Sequence, residues 1–186
     1  MKISHEFTVS RPPQAVWDFF QNVPEVAPCL PGAELLSDEG DGRYKGKVSV
    51  KLGPMSATFD GQATMTGDPA TRTGTIDGQG SDRKGGSRGS VKVNYVLTPE
   101  GAGTKVNIDA DVTLSGAAAQ FGRGGLINEM SNRLIGEFVS CVEGKLSAST
   151  AEEAAEIRAG DVHGFSLFWA SLMAWLRRLF SRRSAA

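Results

Sequence analysis

Alternation of apolar and polar residues dominates the chain between residues 44 and 114. Tyr44, Val48 and Leu52 alternate with lysines and serine, and three later segments repeat this period of two. The apolar positions of those segments are Ala57, Phe59, Ala63 and Met65; Val91, Val93, Tyr95 and Leu97; and Val106, Ile108, Ala110, Val112 and Leu114. A period of two with one polar side is typical of antiparallel strands that have one face in water. With a first strand near residues 2–10, the pattern predicts six or seven strands.

Helical spacing replaces this alternation at both ends of the strand region. Pro12 and Pro13 open a short predicted helix, and Pro24 opens a second that reaches Leu30. A longer helix is predicted over residues 124–146, with an apolar side formed by Ile127, Met130, Leu134, Phe138, Cys141 and Val142. Because this helix is the only segment long enough to cover the sheet, we predict an α+β fold in which a curved antiparallel sheet grips one long helix.

Small residues are frequent on the inner face of the predicted sheet, among them Gly46, Gly61 and Ala110. Small side chains facing a helix favour a cavity with an apolar lining, and the alternative is that larger residues fill the space. The predicted cavity residues are Phe20, Phe59, Met65, Tyr95, Leu114, Phe121, Ile127, Met130, Leu134 and Phe138.

A glycine-rich loop precedes the long helix. Gly122, Arg123, Gly124 and Gly125 follow Phe121, and we interpret them as a flexible gate with Phe121 as its lid. The alternative is a strand-to-helix turn that needs glycine for its backbone angles.

Residues 165–180 form a short apolar stretch that ends in paired arginines. A helix of this length measures roughly 24 Å, less than the roughly 30 Å of a bilayer core, so it is too short to span one. At 100° per residue, most large side chains fall on one side. The predicted membrane-binding residues are Phe165, Phe168, Trp169, Leu172, Trp175, Leu176, Arg177, Arg178, Leu179 and Phe180. We predict a helix that lies on the membrane surface; a terminal core helix and an anchor for a partner protein are the alternatives.

Composition divides the chain into three parts. The chain has 186 residues, 40% of them hydrophobic, and a net charge of -1, as expected for one globular domain with an appendage. We predict a ligand-binding domain over residues 1–146, a flexible linker over residues 147–164 that is rich in Ala, Ser and Glu, and a membrane helix with a basic tail over residues 165–186. The near-neutral charge argues against strong nucleic-acid binding.

Cysteine and histidine are too sparse to indicate a reactive centre. Cys29 and Cys141 lie far apart in sequence, and we expect two separate buried residues in a reducing compartment. His5 and His163 are the only histidines, so no base is indicated for a nucleophile and no zinc spacing is present. Asp60 and Asp109 belong to the water-facing side of their strands. We therefore expect no catalytic residues and no metal site.

Several strings of the sequence resemble one protein family. They are Val-Pro-Glu-Val-Ala-Pro-Cys-Leu-Pro-Gly-Ala over residues 23–33, Tyr-Lys-Gly-Lys-Val over residues 44–48, Leu-Gly-Pro over residues 52–54, and Gln-Phe-Gly-Arg-Gly over residues 120–124. The order of elements is similar to that of the START-like polyketide-cyclase superfamily (SRPBCC, Bet v 1-like), whose fold is called the helix grip. The strings resemble the CoxG family of carbon monoxide dehydrogenase subunits over residues 1 to about 146.

The resemblance implies a function. Members of that family are expected to be accessory proteins, not enzymes, that recruit a molybdenum carbon monoxide dehydrogenase, or a related hydroxylase, to the cytoplasmic side of the membrane. The implied ligand is a lipophilic quinone, menaquinone or ubiquinone, with no covalently bound cofactor. The alternatives are an adaptor or assembly factor that carries no ligand, and a START-like enzyme that acts on a hydrophobic substrate.

Overall fold

A computed structural model describes residues 1–52, 55–82, 84, 86–122 and 126–159, with the side chains of all of these except 51, 52, 55, 120–122 and 126–130. Its strands are β1 (Lys2–Val9), β2 (Ala33–Gly40), β3 (Arg43–Leu52), β4 (Met55–Asp68), β5 (Thr73–Asp82), β6 (Ser87–Glu100) and β7 (Gly103–Ser115). They form one antiparallel sheet in the order β1-β7-β6-β5-β4-β3-β2. The predicted curved sheet and its strand count are confirmed.

The helices flank this sheet. They are α1 (Pro13–Gln21), α2 (Val23–Val26), α3 (Leu126–Ser147) and α4 (Ala151–Glu156), with short 3-10 helices at Ala27–Cys29 and Gly116–Gly122. Proline stands at the start of both α1 and α2, where the missing N–H removes no helical hydrogen bond. The long predicted helix is confirmed as α3, which packs along the inner face of the sheet beside β1.

One main core lies between the sheet, α1 and the second half of α3. Its buried members are Val9, Val16, Trp17, Phe20, Cys29, Tyr95, Leu97, Val106, Phe138, Cys141 and Val142. A smaller cluster, formed by Ala57 and Ala118 with Phe59 and Leu114 beside them, lies apart from it. The inner face is therefore closed firmly at one end and less completely at the other.

Cys29 and Cys141 form a disulfide, so the prediction of two separate cysteines was wrong. Their Cα atoms lie 5.4 Å apart although 112 positions separate them in sequence. The fold brings them together because α3 packs against the 3-10 helix at Ala27–Cys29. Both residues are fully buried, as predicted. Because they are paired, they no longer support the expectation of a reducing compartment.

The sequence indicated that glycines on the inner face leave room for a cavity, but the structure gives a different reason for them. Gly61 faces Gly80 on the next strand, and a Cβ added to Gly61 would lie 2.2 Å from the carbonyl oxygen of Gln79. Such a contact is far inside van der Waals range, so glycine is required where neighbouring backbones approach closely. Gly61 is thus explained by the close approach of two backbones rather than by open space.

Candidate functional site

The inner face of the sheet changes from tightly packed to partly open along its length. Tyr95, Leu97 and Val106 are buried at the closed end, in the core that they share with α1 and the second half of α3. Farther along the same face, Val91, Val112 and other large apolar side chains are only half-buried. An apolar surface that α3 does not fully cover is the feature of this domain that best suits a hydrophobic ligand.

Three of the predicted cavity residues form the floor of this region. The ring of Phe20 lies 5.6 Å from that of Tyr95 and 6.0 Å from that of Phe138, and both pairs meet edge to face. All three side chains are at most 7% exposed. Edge-to-face aromatic packing of this kind stabilises a rigid core, so these residues limit the depth of the site.

Tyr95 is the polar member of this floor. Its hydroxyl accepts a hydrogen bond of 3.1 Å from Nε2 of Gln21, and its ring lies over Gly74, where an added Cβ would be 2.3 Å from the Tyr95 oxygen. Burial raises the pKa of the Tyr95 phenol, and the Gln21 hydrogen bond partly offsets this. The phenol is therefore neutral at physiological pH.

Four other predicted cavity residues are half-buried: Phe59, Met65, Leu114 and Leu134. Phe59 and Leu114 pack against the small cluster of Ala57 and Ala118. The ring of Phe59 also approaches Gly89, where an added Cβ would lie 3.8 Å from it. These side chains form an apolar wall with partial exposure.

The remaining predicted site residues lie outside the described part of the chain or lack described side chains. Side chains are not described for Phe121, Ile127 and Met130, and Gly122 ends a 3-10 helix. The other predicted gate residues, Arg123, Gly124 and Gly125, and the predicted membrane helix at residues 165–180 fall outside it. The gate and the membrane helix therefore stay predictions.

Two residues that face the interior of the domain were not predicted from the sequence. Trp17 is 4% exposed, and its ring lies 6.2 Å from that of Tyr95. His5 lies on the same face as Ile3, Phe7 and Val9, because alternate residues of a strand share a face. Alternation within β1 was the signal that would have placed His5 inside.

The outer face of the sheet is polar. A shallow groove of about 520 Å³ runs across β3 to β7 and is lined by charged, amide and hydroxyl side chains, including Lys45, Asp60, Gln79, Arg88 and Thr113. The exposed positions of Asp60 and Asp109 confirm the prediction that these strand acids face water. Such a surface does not suit a lipophilic molecule.

The chain after α3 is bound to the domain as far as Ala159. The side chain of Lys145 is 2% exposed, and its Nζ atom donates to Oε2 of Glu25 at 2.9 Å and to the carbonyl oxygen of Ala154 at 2.7 Å. Ile157 packs against the main core, and the N–H of Ala159 donates to the carbonyl oxygen of Pro28. The first part of the predicted flexible linker thus makes specific contacts with the domain.

Neither a metal site nor a membrane span is evident in the described residues. Within them, no group of three or more His, Cys, Asp or Glu side chains is placed to hold a metal ion. Among the helices that the structure describes, none is both long enough and apolar enough to cross a bilayer.

Comparison with known proteins identifies a family and a fold. A family model that describes the CoxG subunit of carbon monoxide dehydrogenase matches residues 6–147. No curated protein matches the chain in sequence.

Solved structures share the architecture at low sequence identity. A conserved protein from Geobacillus kaustophilus aligns with a TM-score of 0.70 and 15% identity, over 79% of this chain and 95% of that one. A protein from Rhizobium loti, Mll3558, gives a TM-score of 0.53 and 16% identity over 75% and 95%. Ara h 8.0201 gives 0.51 and 16% over 78% and 97%. These likenesses show the helix-grip, Bet v 1-like fold.

Proposed function

Because the chain belongs to the CoxG family of carbon monoxide dehydrogenase subunits, we propose that it binds a lipophilic quinone in the cavity between the sheet and α3 and recruits a molybdenum carbon monoxide dehydrogenase to the membrane. In this role the protein links the electrons of that enzyme to the respiratory quinone pool. It acts as an accessory protein, peripheral on the cytoplasmic side of the membrane.

The partly open inner face is the observation that carries the ligand proposal. Phe59, Met65 and Leu114 remain half-buried on a face whose other end is closed by aromatic packing. Burial of apolar surface contributes about 25 cal/mol per Å². A quinone ring and its isoprenoid chain offer the apolar surface that would cover these side chains, whereas the outer groove would not.

The membrane part of the proposal rests on the sequence of the tail and on where the chain leads into it. The hydrogen bond from Ala159 to Pro28 holds this part of the linker against the 3-10 helix at Ala27–Cys29, and the residue that follows that helix, Leu30, is 46% exposed. Arg158, the residue before Ala159, is exposed and carries a positive charge suited to anionic headgroups. An apolar, basic tail that follows this linker in sequence would hold the domain near the bilayer.

Tryptophan fluorescence offers a direct test of quinone binding. The chain has three tryptophans, and only Trp17 lies in the domain. The variant Trp169→Phe/Trp175→Phe leaves Trp17 as the single reporter, and a bound quinone should quench its emission in a saturable manner. Absence of saturable quenching, with a matched alkyl alcohol as the control ligand, would leave only an adaptor role.

Vesicle flotation tests the recruitment. The full-length protein should carry added molybdenum carbon monoxide dehydrogenase to the top of the gradient with vesicles that contain anionic lipid. Trp169→Ser/Trp175→Ser should leave both proteins at the bottom, while Ser171→Ala on the polar side of the predicted helix should behave like the wild type. Flotation of the Trp169→Ser/Trp175→Ser variant would contradict the predicted anchor.

A further inference from the structure

His5 presents a buried nitrogen to the interior of the domain. It lies opposite Ile108 in the register of β1 and β7, and Ile108 lies opposite Tyr95 in the register of β7 and β6. Directly opposed residues of antiparallel strands share a face. Since Tyr95 is buried in the main core, His5 points to the inner face as well.

The surroundings of His5 on this face are apolar. Ile3 and Phe7 are its neighbours along β1, and Ile108 is its neighbour across the sheet. The Nε2 atom of His5 is buried and makes no hydrogen bond with any residue that the structure describes. Buried polar atoms in native proteins nearly always have a partner, so this nitrogen calls for an explanation.

We propose that Nε2 of His5 is the polar anchor of the ligand site and forms a hydrogen bond with a ring oxygen of the bound quinone. The inference rests on the proposed quinone-binding function and names the group that recognises the head of the ligand. A neutral imidazole nitrogen donates or accepts according to its tautomer. His5 can therefore donate to the carbonyl of the oxidised quinone or accept from the hydroxyl of the reduced quinol.

The position of His5 fits this role. Toward the closed end, the ring of Phe7 packs against that of Phe138 at 6.2 Å, and Val9 is fully buried. Toward the other end, Ile3 and Ala110 are half-buried. A head group held at His5 would lie against the floor of the site, and its chain would extend along the open part of the inner face.

A matched pair of ligands separates this hydrogen bond from apolar binding. The probes are 2-dodecyl-1,4-naphthoquinone and 2-dodecylnaphthalene, which share a fused ring and an alkyl chain but differ in the oxygen atoms. In the full-length protein, His5→Phe should weaken binding of the naphthoquinone about fivefold, as expected for one neutral hydrogen bond, and leave that of the hydrocarbon unchanged. His5→Gln, which keeps a donor and an acceptor, should retain most of the preference for the quinone.

Nuclear magnetic resonance gives a second readout that does not depend on His5→Phe folding. The sequence has only two histidines, so His163→Gln leaves His5 as the single imidazole. The 15N shift of His5 Nε2 should change when the naphthoquinone is added and stay constant with the hydrocarbon.

Two different failures can be told apart. His5→Phe could weaken the binding of both ligands equally or of neither, or the 15N shift of Nε2 could stay constant when the quinone is added. In each of these cases His5 is not the anchor, although a quinone binds. If the wild type binds neither probe, the quinone-carrier function itself is overturned, and the anchor with it.

Discussion

Loss of the disulfide between Cys29 and Cys141 should destabilise the protein strongly. The link joins positions separated by 112 residues and so closes most of the domain into one loop. In the chain-entropy treatment, closing a loop of that length in the unfolded state stabilises the folded protein by about 5 kcal/mol, and measured values of about 2–4 kcal/mol are typical. At an m-value of about 2 kcal/mol per molar urea, the unfolding midpoint should fall by about 1–2 M.

The assay is urea unfolding of the full-length protein followed by far-UV circular dichroism, with and without a reductant that is present throughout equilibration. The matched control is Cys29→Ala/Cys141→Ala, whose midpoint should be low in both conditions. Because both cysteines are fully buried and Ile157 packs beside Gly144 over this part of α3, the native protein should react with a thiol reagent only slowly after reductant is added. Equal midpoints for the wild type in both conditions, with two free thiols after denaturation without reductant, would refute the pairing.

Three further predictions concern the fold and the floor of the site. Gly61→Ala should destabilise the domain by about 2 kcal/mol or more because its Cβ would meet the backbone of Gln79, whereas Gly136→Ala, in an open helical position of α3, should stabilise it by up to about 1 kcal/mol; urea unfolding of both variants checks the opposite signs. Lys145→Met should speed hydrogen exchange in α4 because Ala154 and Glu25 lose their buried donor, while Lys92→Met, whose ammonium pairs with Asp77 at 3.8 Å on the surface, should not. Burial raises the pKa of Tyr95, so above about pH 10 the unfolded state loses its phenolic proton first and stability falls as pH rises; Tyr95→Phe should show a shallower decline in thermal unfolding temperature over that range, and an identical decline would contradict it.

Most of the fold could be predicted from the strand and helix patterns of the sequence. Alternation between Tyr44 and Leu114 identified the inner faces of β3, β4, β6 and β7, because a half-buried strand must alternate apolar and polar residues. The apolar side of α3 was equally visible at helical spacing. These are local properties, and the sequence displays them directly.

Contacts between distant segments could not be predicted from these local patterns. The pairing of Cys29 with Cys141 and the burial of Lys145 against Glu25 depend on how α3 packs against the start of the chain. Gly61 was interpreted as open space, although a close approach of backbones explains it. Residue type and spacing predicted cavity residues, but the burial of Phe20, Tyr95 and Phe138 together in one core depends on packing.

The most direct test of the central claim is native mass spectrometry, with organic extraction, of the protein purified from membranes of its own host. The proposal that the inner face carries a quinone predicts one lipophilic quinone per protein chain. A protein that arrives empty and also fails to bind added quinone would contradict it and leave the membrane-adaptor role alone.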